Sequence, residues 1–213
     1  MQQRMDRRHF ILSTAAAGCA TAWAQSPRPP AIVVVGDSLS AEYGLARGSG
    51  WVALLQKKLR QEGRPERVVN ASISGDTTAG GRARLPALLR QHQPAVVVIE
   101  LGGNDALRGL PLESTAANLS WMTEAAQQAG ARVLLVGMQV PPNYGADYTR
   151  RFANVFADVA RKYRTALVPF LLQGVADGDD PRAPFQADGI HPKAEAHPRM
   201  LGNVWPVLKG LLK

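Results

Sequence analysis

Cysteine is almost missing from this chain: Cys19 is the single one in 213 residues, and it lies near the start. A chain cut after Ala24 would hold no thiol, which excludes disulfides, a thiolate nucleophile and cysteine-ligated zinc. Long apolar runs are lacking too. The longest, Phe10 to Ala24, is too short and too alanine-rich for a membrane span. No G-x-S-x-G occurs, so the nucleophile elbow of the α/β-hydrolase fold is absent. Neither G-x-G-x-x-G nor a Walker loop is present, which removes the usual nucleotide cradles. The basic residues are scattered and form no aromatic-interleaved stripe of the kind that binds single-stranded nucleic acid. There is no internal repeat and no low-complexity segment.

What remains is an ordinary globular composition, 46% hydrophobic and 20% charged, in a length that suits one domain with a full core. The formal charge is +8, and losing residues 1–24, with three arginines and one aspartate, would leave +6. A scattered excess of this size reads as a solvated basic exterior. No nucleic-acid partner is expected, and at most peripheral membrane contact. The first 24 residues read as an export signal. Arg4 and Arg7-Arg8 precede the apolar run, and Ala22-Trp23-Ala24 is an A-x-A cleavage site before Gln25. Asp6-Arg7-Arg8-His9-Phe10-Ile11 resembles the twin-arginine export motif. Gly18-Cys19 carries Ala16 where lipoprotein acylation sites have a larger aliphatic residue, so cleavage before Gln25 is the expected event. The expected product is a periplasmic or secreted protein: signal peptide 1–24, a stiff proline-rich lead-in 25–30, and one folded domain 31–213.

Five short apolar runs mark buried strands: Ala31–Val35, Arg67–Asn70, Ala95–Leu101, Arg132–Gly137 and Ala166–Val168. Valine and isoleucine dominate most of them, as in strands covered on both faces. Helical spacing appears between them. Trp51, Leu54, Leu55 and Leu59 share one face, as do Leu85, Leu88 and Leu89. Leu119, Met122, Ala126 and Ala129 mark a third helix, and Phe152, Val155, Phe156 and Val159 a fourth. The last runs through Met200, Leu201, Val204, Val207, Leu208 and Leu211, with Pro198 in its first turn and Pro206 expected to kink it. Alternating strand and helix predicts an α/β fold, a parallel sheet with helices on both sides.

Four stretches carry chemistry: Gly36-Asp37-Ser38-Leu39-Ser40, Ser74-Gly75-Asp76, Gly102-Gly103-Asn104-Asp105 and Asp188-Gly189-Ile190-His191-Pro192. The first three follow predicted strands, where open α/β sheets place ligands. Ser38 at a strand-to-loop turn is a candidate nucleophile, although Gly-Asp-Ser alone also reads as a turn. A carboxylate three residues before a histidine can fold back onto Nδ1, fixing the tautomer and leaving Nε2 as a base. Asp188 can equally cap a helix starting at Pro192. The Ser38 amide, the Gly75 amide and the Asn104 side-chain NH₂ are three candidate donors for an oxyanion. Of the other histidines, His92 sits at a polar helix end, and His197 reads as a surface or packing residue of the last helix. His191, Glu195 and His197 fit a metal poorly, because an offset of six separates the two histidines on a helix. No metal and no cofactor are expected.

Together these blocks resemble the SGNH, or GDSL, hydrolase superfamily over essentially the whole of 25–213. They are closest to its bacterial periplasmic thioesterase, lysophospholipase and arylesterase subgroup. The stretches Val69 to Thr77, Ala83 to Leu89 and Glu100 to Asp105 carry the likeness, with Pro141, Asn143-Tyr144-Gly145 and Tyr148. The resemblance implies a three-layer α/β/α sandwich around a five-stranded parallel sheet, flavodoxin-like, over 31–213. It implies Ser38 as nucleophile, His191 as base, Asp188 as its orienter, and Ser38, Gly75 and Asn104 as the oxyanion hole. Leu107, Leu110 and Pro111 follow Asn104, and Met138, Val140, Pro141, Asn143 and Tyr144 follow the fourth strand. These are the expected substrate-binding residues. Glu42 and Pro142 depart from the subgroup, predicting a more acidic entrance beside Ser38 and a stiffer pocket loop.

The sequence thus predicts an exported serine esterase, acting on aryl esters, lysophospholipids, fatty-acyl esters or acyl-CoA, and monomeric. The alternatives are a carbohydrate O-acetyl esterase of the same superfamily and a non-catalytic periplasmic lipid-binding protein.

Overall fold

The computed structural model describes residues 29–177, 180 and 182–212. The expected signal peptide 1–24, with Cys19, the paired arginines and the cleavage site, lies outside the described residues, as does 25–28 of the lead-in.

Five strands form one parallel sheet: β1 (Ala31–Gly36), β2 (Arg67–Asn70), β3 (Val96–Glu100), β4 (Arg132–Val136) and β5 (Ala166–Val168), in the order β2-β1-β3-β4-β5. The central strands β1 and β3 are buried throughout, which is why Val and Ile dominate them. The edge strands β2 and β5 are only half-buried along most of their length. Parallel neighbours need crossovers, and helices supply them: α1 (Trp51–Gln61), α2 (Thr78–His92), α3 (Gly103–Leu107), α4 (Leu112–Gln128), α5 (Ala146–Tyr163) and α6 (His197–Leu211). Helices α1 and α6 pack on each other as one layer, and α2, α4 and α5 pack in sequence as the other. The three-layer sandwich expected from the sequence is the observed one.

Most apolar stripes fall where periodicity puts them. Trp51, Leu55 and Leu59 of α1, Leu119, Met122 and Ala126 of α4, and Phe152, Val155, Phe156 and Val159 of α5 are all buried. Ala129 is the exception: it caps α4 at its C-terminal end and is exposed. The last helix takes Pro198 in its first turn and continues as helix through Pro206. The five residues of α3 are too short for a period and left no signal in the sequence.

Strand order reverses between β1 and β3, since β1 leads outward to β2 while β3 leads the other way to β4 and β5. Loops leaving two such strands diverge and open a crevice at their C-terminal ends. The register pairs Gly36 with Glu100 at that point, so Ser38 and Asn104 leave the sheet side by side.

Candidate active site

The turn after β1 is fastened from several sides. Its backbone closes through Ser40 N–H and Ala41 N–H onto the Asp37 carbonyl, at 3.2 and 2.9 Å. Ser40 Oγ donates to Glu100 Oε2 at 2.7 Å and accepts from the Trp51 indole N–H at 3.2 Å. The Asn70 side chain donates to the Ser40 carbonyl at 2.7 Å. Gly36 makes this packing possible: a Cβ there would lie 2.8 Å from Glu100 Oε2 and from the Ser40 side chain. Ser38 is the half-buried member of an otherwise buried turn, and its hydroxyl faces the crevice from the β1 side.

The histidine arrives on a separate loop, 153 residues away. An antiparallel bridge between Phe185 and Pro192, with Gln186 N–H donating to the His191 carbonyl at 2.8 Å, closes the loop. Within it, Asp188 Oδ1 accepts the backbone N–H groups of Ile190 and His191 at 2.9 and 3.0 Å. Asp188 Oδ2 lies 2.7 Å from His191 Nδ1, and His191 Nε2 lies 2.8 Å from Ser38 Oγ. The backbone N–H groups of His191 and Ile190, and then the imidazole, hold the Asp188 carboxyl down at about 2. An ionised Asp188 makes Nδ1 the donor, which leaves Nε2 free to accept from the serine. The Tyr43 ring packs on the imidazole with centroids 4.2 Å apart. No α-helix starts at Pro192: a 3₁₀ turn forms at Ala194–Ala196 and α6 begins at His197. Asp188 therefore caps its own loop and not a helix.

The expected oxyanion donors stand on the turn after β1 and on the segments that follow β2 and β3. Gly75 has φ +78°, a left-handed conformation that favours glycine, and its carbonyl accepts from Arg108 at 2.7 Å. Among the described residues, neither Ser38 N–H nor Gly75 N–H donates to another protein group. Asn104 gives one amide hydrogen to Asp37 Oδ2 at 3.0 Å, keeping the other for a ligand. The neighbouring Asp105 fixes the Asn104 turn from below. It accepts from Thr78 N–H at 2.9 Å and from the Thr78 and Thr115 hydroxyls at 2.5 and 3.3 Å, tying α3 to α2 and α4.

Asp37, Ser40, Trp51 and Glu100 were not singled out for a role from the sequence, and they form the floor of the site. Asp37 Oδ1 accepts Leu39 N–H at 3.0 Å while Oδ2 holds Asn104, so one carboxylate aligns both sides of the crevice. Burial pushes the Asp37 carboxyl up to about 6, partly offset by the Leu39 N–H and the Asn104 amide. Glu100 is fully buried, and burial together with the nearby Asp37 charge raises its carboxyl well above the usual range. The one sequence signal for Glu100 is an acidic residue inside a run otherwise made of Val, Ile and Leu.

The expected substrate-binding residues divide. Leu107, Leu110, Pro111, Pro141, Asn143 and Tyr144 are exposed at the strand ends. Met138 and Val140 are not: both are buried in the hydrophobic core, so in this conformation they cannot line an acyl path. The chain leaving β4 keeps its apolar side chains inward for several residues before surfacing. Glu42, expected to make the entrance more acidic, has its carboxylate on the backbone N–H groups of Gly48 and Gly50, at 2.8 to 3.1 Å, and so fastens that loop. His197 is buried, and its Nδ1 accepts the Trp51 N–H at 3.0 Å at the start of α1, while His92 is half-buried. Among the described residues, no group of three or more His, Cys, Asp or Glu side chains is placed to hold a metal ion.

Comparison with known proteins gives a consistent picture. The family model described as "GDSL-like Lipase/Acylhydrolase family" matches residues 34–199. The chain is 58% identical over 181 residues to "Esterase TesA" of Pseudomonas aeruginosa, covering 85% of this chain and 89% of that protein. It is 42% identical over 167 residues to "Thioesterase 1/protease 1/lysophospholipase L1" of Escherichia coli K12, covering 78% and 77%. Among solved structures, a crystal structure of TesA superposes with a TM-score of 0.82 at 57% identity, over 85% of this chain and 99% of that one.

Proposed function

The chain belongs to the GDSL-like lipase/acylhydrolase family, and from that premise we propose that it cleaves acyl esters and thioesters through an acyl-enzyme on Ser38. Ester hydrolysis is the activity of its close relatives and of this chain. The residue roles rest on one observation: the unbroken relay Asp188–His191–Ser38, with links of 2.7 and 2.8 Å.

In this reading His191 Nε2 takes the Ser38 proton as Oγ attacks the acyl carbon, and Asp188 stabilises the imidazolium that forms. The carbonyl π electrons move onto oxygen, and that oxyanion is met by Ser38 N–H, Gly75 N–H and the free Asn104 amide hydrogen. Collapse expels the alcohol or thiol, which leaves with the proton from His191. Water then attacks the acyl-enzyme, gives its proton to Nε2, and the second collapse frees the acid and returns the proton to Ser38. Asp37 acts as a positioning residue, because it holds Asn104 and the nucleophile turn through opposite oxygens of one carboxylate.

Lysophospholipids, fatty-acyl esters and aryl esters are the proposed substrates. Exposed Leu107, Leu110 and Tyr144 beside the triad offer apolar contact to an acyl chain, and the relatives' names include lysophospholipase and thioesterase. The protein acts after export to the periplasm, as a monomer beginning near Gln25. Acyl-CoA is chemically suitable but scarce there. Labelling with a fluorophosphonate tests the chemistry: Ser38 should carry the phosphonyl group. Ser38→Ala should remove both label and turnover, a loss on the order of 10⁶ in kcat. Labelling elsewhere, or a folded Ser38→Ala protein with a tenth of the activity, would refute the assignment. Mass spectrometry of periplasmic extract tests the processed terminus.

A further inference from the structure

Six large apolar side chains stand exposed among the described residues: Tyr43, Ile73, Leu107, Leu110, Tyr144 and Ile190. None is on the outer face of a long helix. Each lies on chain that has just left the C-terminal end of a strand or belongs to the histidine loop. Ile73 follows β2, Tyr43 follows β1, Leu107 and Leu110 follow β3, Tyr144 follows β4, and Ile190 lies between β5 and α6. In the order β2-β1-β3-β4-β5 this makes a row over the ends of β2, β1, β3 and β4, with Ile190 joining it beside His191 near the β1 loop. Three inter-strand steps of about 4.8 Å give it a width of roughly 14 Å. Scattered exposed apolar residues need no explanation, but a row confined to one edge marks a contact surface. The acyl path proposed above uses Leu107, Leu110 and Tyr144, Tyr43 packs on the His191 ring, and Ile73 and Ile190 are left unaccounted for.

The row is held in place. Gln186 Nε2 donates to the Tyr43 carbonyl at 3.0 Å, joining the histidine loop to the β1 loop. Arg108 donates to the Gly75 carbonyl at 2.7 Å, joining the β3 and β2 loops, and Ile73 N–H donates to Gly36 at 3.0 Å. Glu42, at a left-handed φ of 61°, fastens the segment that carries Tyr43 and Arg47. These braces keep the apolar side chains turned outward.

Carboxylates along the same edge have partners. Asp188 is engaged by His191, Asp76 by Arg84, Asp147 by Arg150 and Glu42 by backbone N–H groups. Arg47 and Arg108 are exposed in these loops and pair with no carboxylate among the described residues. An apolar row flanked by unpaired guanidinium groups is complementary to a lipid surface bearing anionic headgroups.

We propose that this edge docks on an anionic phospholipid surface, so that Ser38 opens toward the lipid and an acyl chain enters without first crossing water. The purpose of docking rests on the lipid-ester reading of the site, but its test does not. The purified protein carrying Ser38→Ala, which cannot consume lipid, is sedimented with phosphatidylcholine vesicles with and without phosphatidylglycerol. It should bind the phosphatidylglycerol vesicles, and added salt should weaken the binding. Arg47→Glu should lower the partition at least about fivefold, the factor expected from one basic residue at an anionic surface. Ile73→Asp should lower it as well. In the otherwise wild-type protein both substitutions should leave hydrolysis of soluble p-nitrophenyl acetate unchanged, because neither side chain belongs to the triad or the acyl path. That soluble activity also certifies the fold. Absence of binding to either vesicle, or binding that neither substitution alters, overturns the proposal. A dimer in sedimentation velocity that Ile73→Asp abolishes, with no vesicle binding, would give the edge to a second copy of the chain and overturn it equally. Vesicle binding by a protein whose wild type cleaves no acyl ester would leave docking standing and remove the proposed function.

Discussion

Replacing Asp37 by asparagine should separate stability from turnover. The Asp37 side chain is 2% exposed, and burial moves its carboxyl from 3.8 up to about 6. The folded-state value lies above the unfolded one, so folding favours the neutral carboxyl. The Asp37 contribution to stability is undiminished below about pH 4, falls as pH rises to about 6, and stays lower above, by about 3 kcal/mol. Asparagine cannot ionise and escapes that loss. It also turns a donor toward either the Leu39 N–H or the Asn104 amide, where the ionised Asp37 presents an acceptor to each, at a cost of about 1–3 kcal/mol. The stability difference between variant and wild type should therefore swing by about 3 kcal/mol toward the variant between about pH 4 and about pH 8. Urea unfolding at both ends measures the swing. Turnover should move the other way. With Asn104 no longer held by a carboxylate, kcat should fall toward the roughly 10²–10³ of a lost oxyanion donor, with KM little changed. A variant destabilised equally at both pH values refutes the buried-charge reasoning, and an unchanged kcat refutes the anchoring of Asn104 through Asp37.

Asn104→Ala should lower kcat by roughly 10²–10³ while KM stays close to wild type, and steady-state kinetics on p-nitrophenyl esters read both. Wild-type kcat/KM should rise from acetyl through butanoyl toward medium-chain esters, since each buried methylene contributes up to about 0.8 kcal/mol. Leu110→Asp should flatten that rise while sparing the acetyl ester, and a steady fall from acetyl upward would instead favour the carbohydrate O-acetyl esterase. His197→Ala should cost about 1–3 kcal/mol at neutral pH, because the Trp51 N–H loses its buried acceptor. Burial holds the His197 imidazole below its usual range, so the contribution of this group to stability is full above about pH 6.5 and is lost as pH falls below it. That component of the decline should vanish from the variant's unfolding curves.

Much of this architecture is legible in the sequence because the sheet is parallel and covered on both faces. Strands such as Ala31–Gly36 then appear as short apolar runs, and helices as 3.6-residue stripes between them. Strand order is not legible, since it depends on which crossover passes which face, and the pairing of Gly36 with Glu100 depends on that order. Glu100 therefore looks like one odd residue in a strand, and nothing local ties it to Ser40 or Asp37. The contact of Asp188 with His191 could be expected because three residues of loop are enough to make it. The contact of His191 with Ser38 spans 153 residues and could be expected only from resemblance. Met138 and Val140 were misplaced for a simpler reason. A strand-exit segment has no period that tells inward from outward, and here it stays in the core.

The Phe185–Pro192 bridge gives the machinery a seam. Asp188 and His191 ride on one short loop, whereas Ser38, Gly75 and Asn104 are rooted in the sheet and its neighbouring helices. On the proposed mechanism, parting that bridge would carry off His191 and Asp188 as one unit while Ser38, Gly75 and Asn104 stayed assembled, so that activity would hang on the closure of a few backbone hydrogen bonds at the rim. The amides of Gln186 and Lys193, which close the loop onto His191 and Pro184, are where hydrogen exchange would register the switching-off long before the sheet itself came apart.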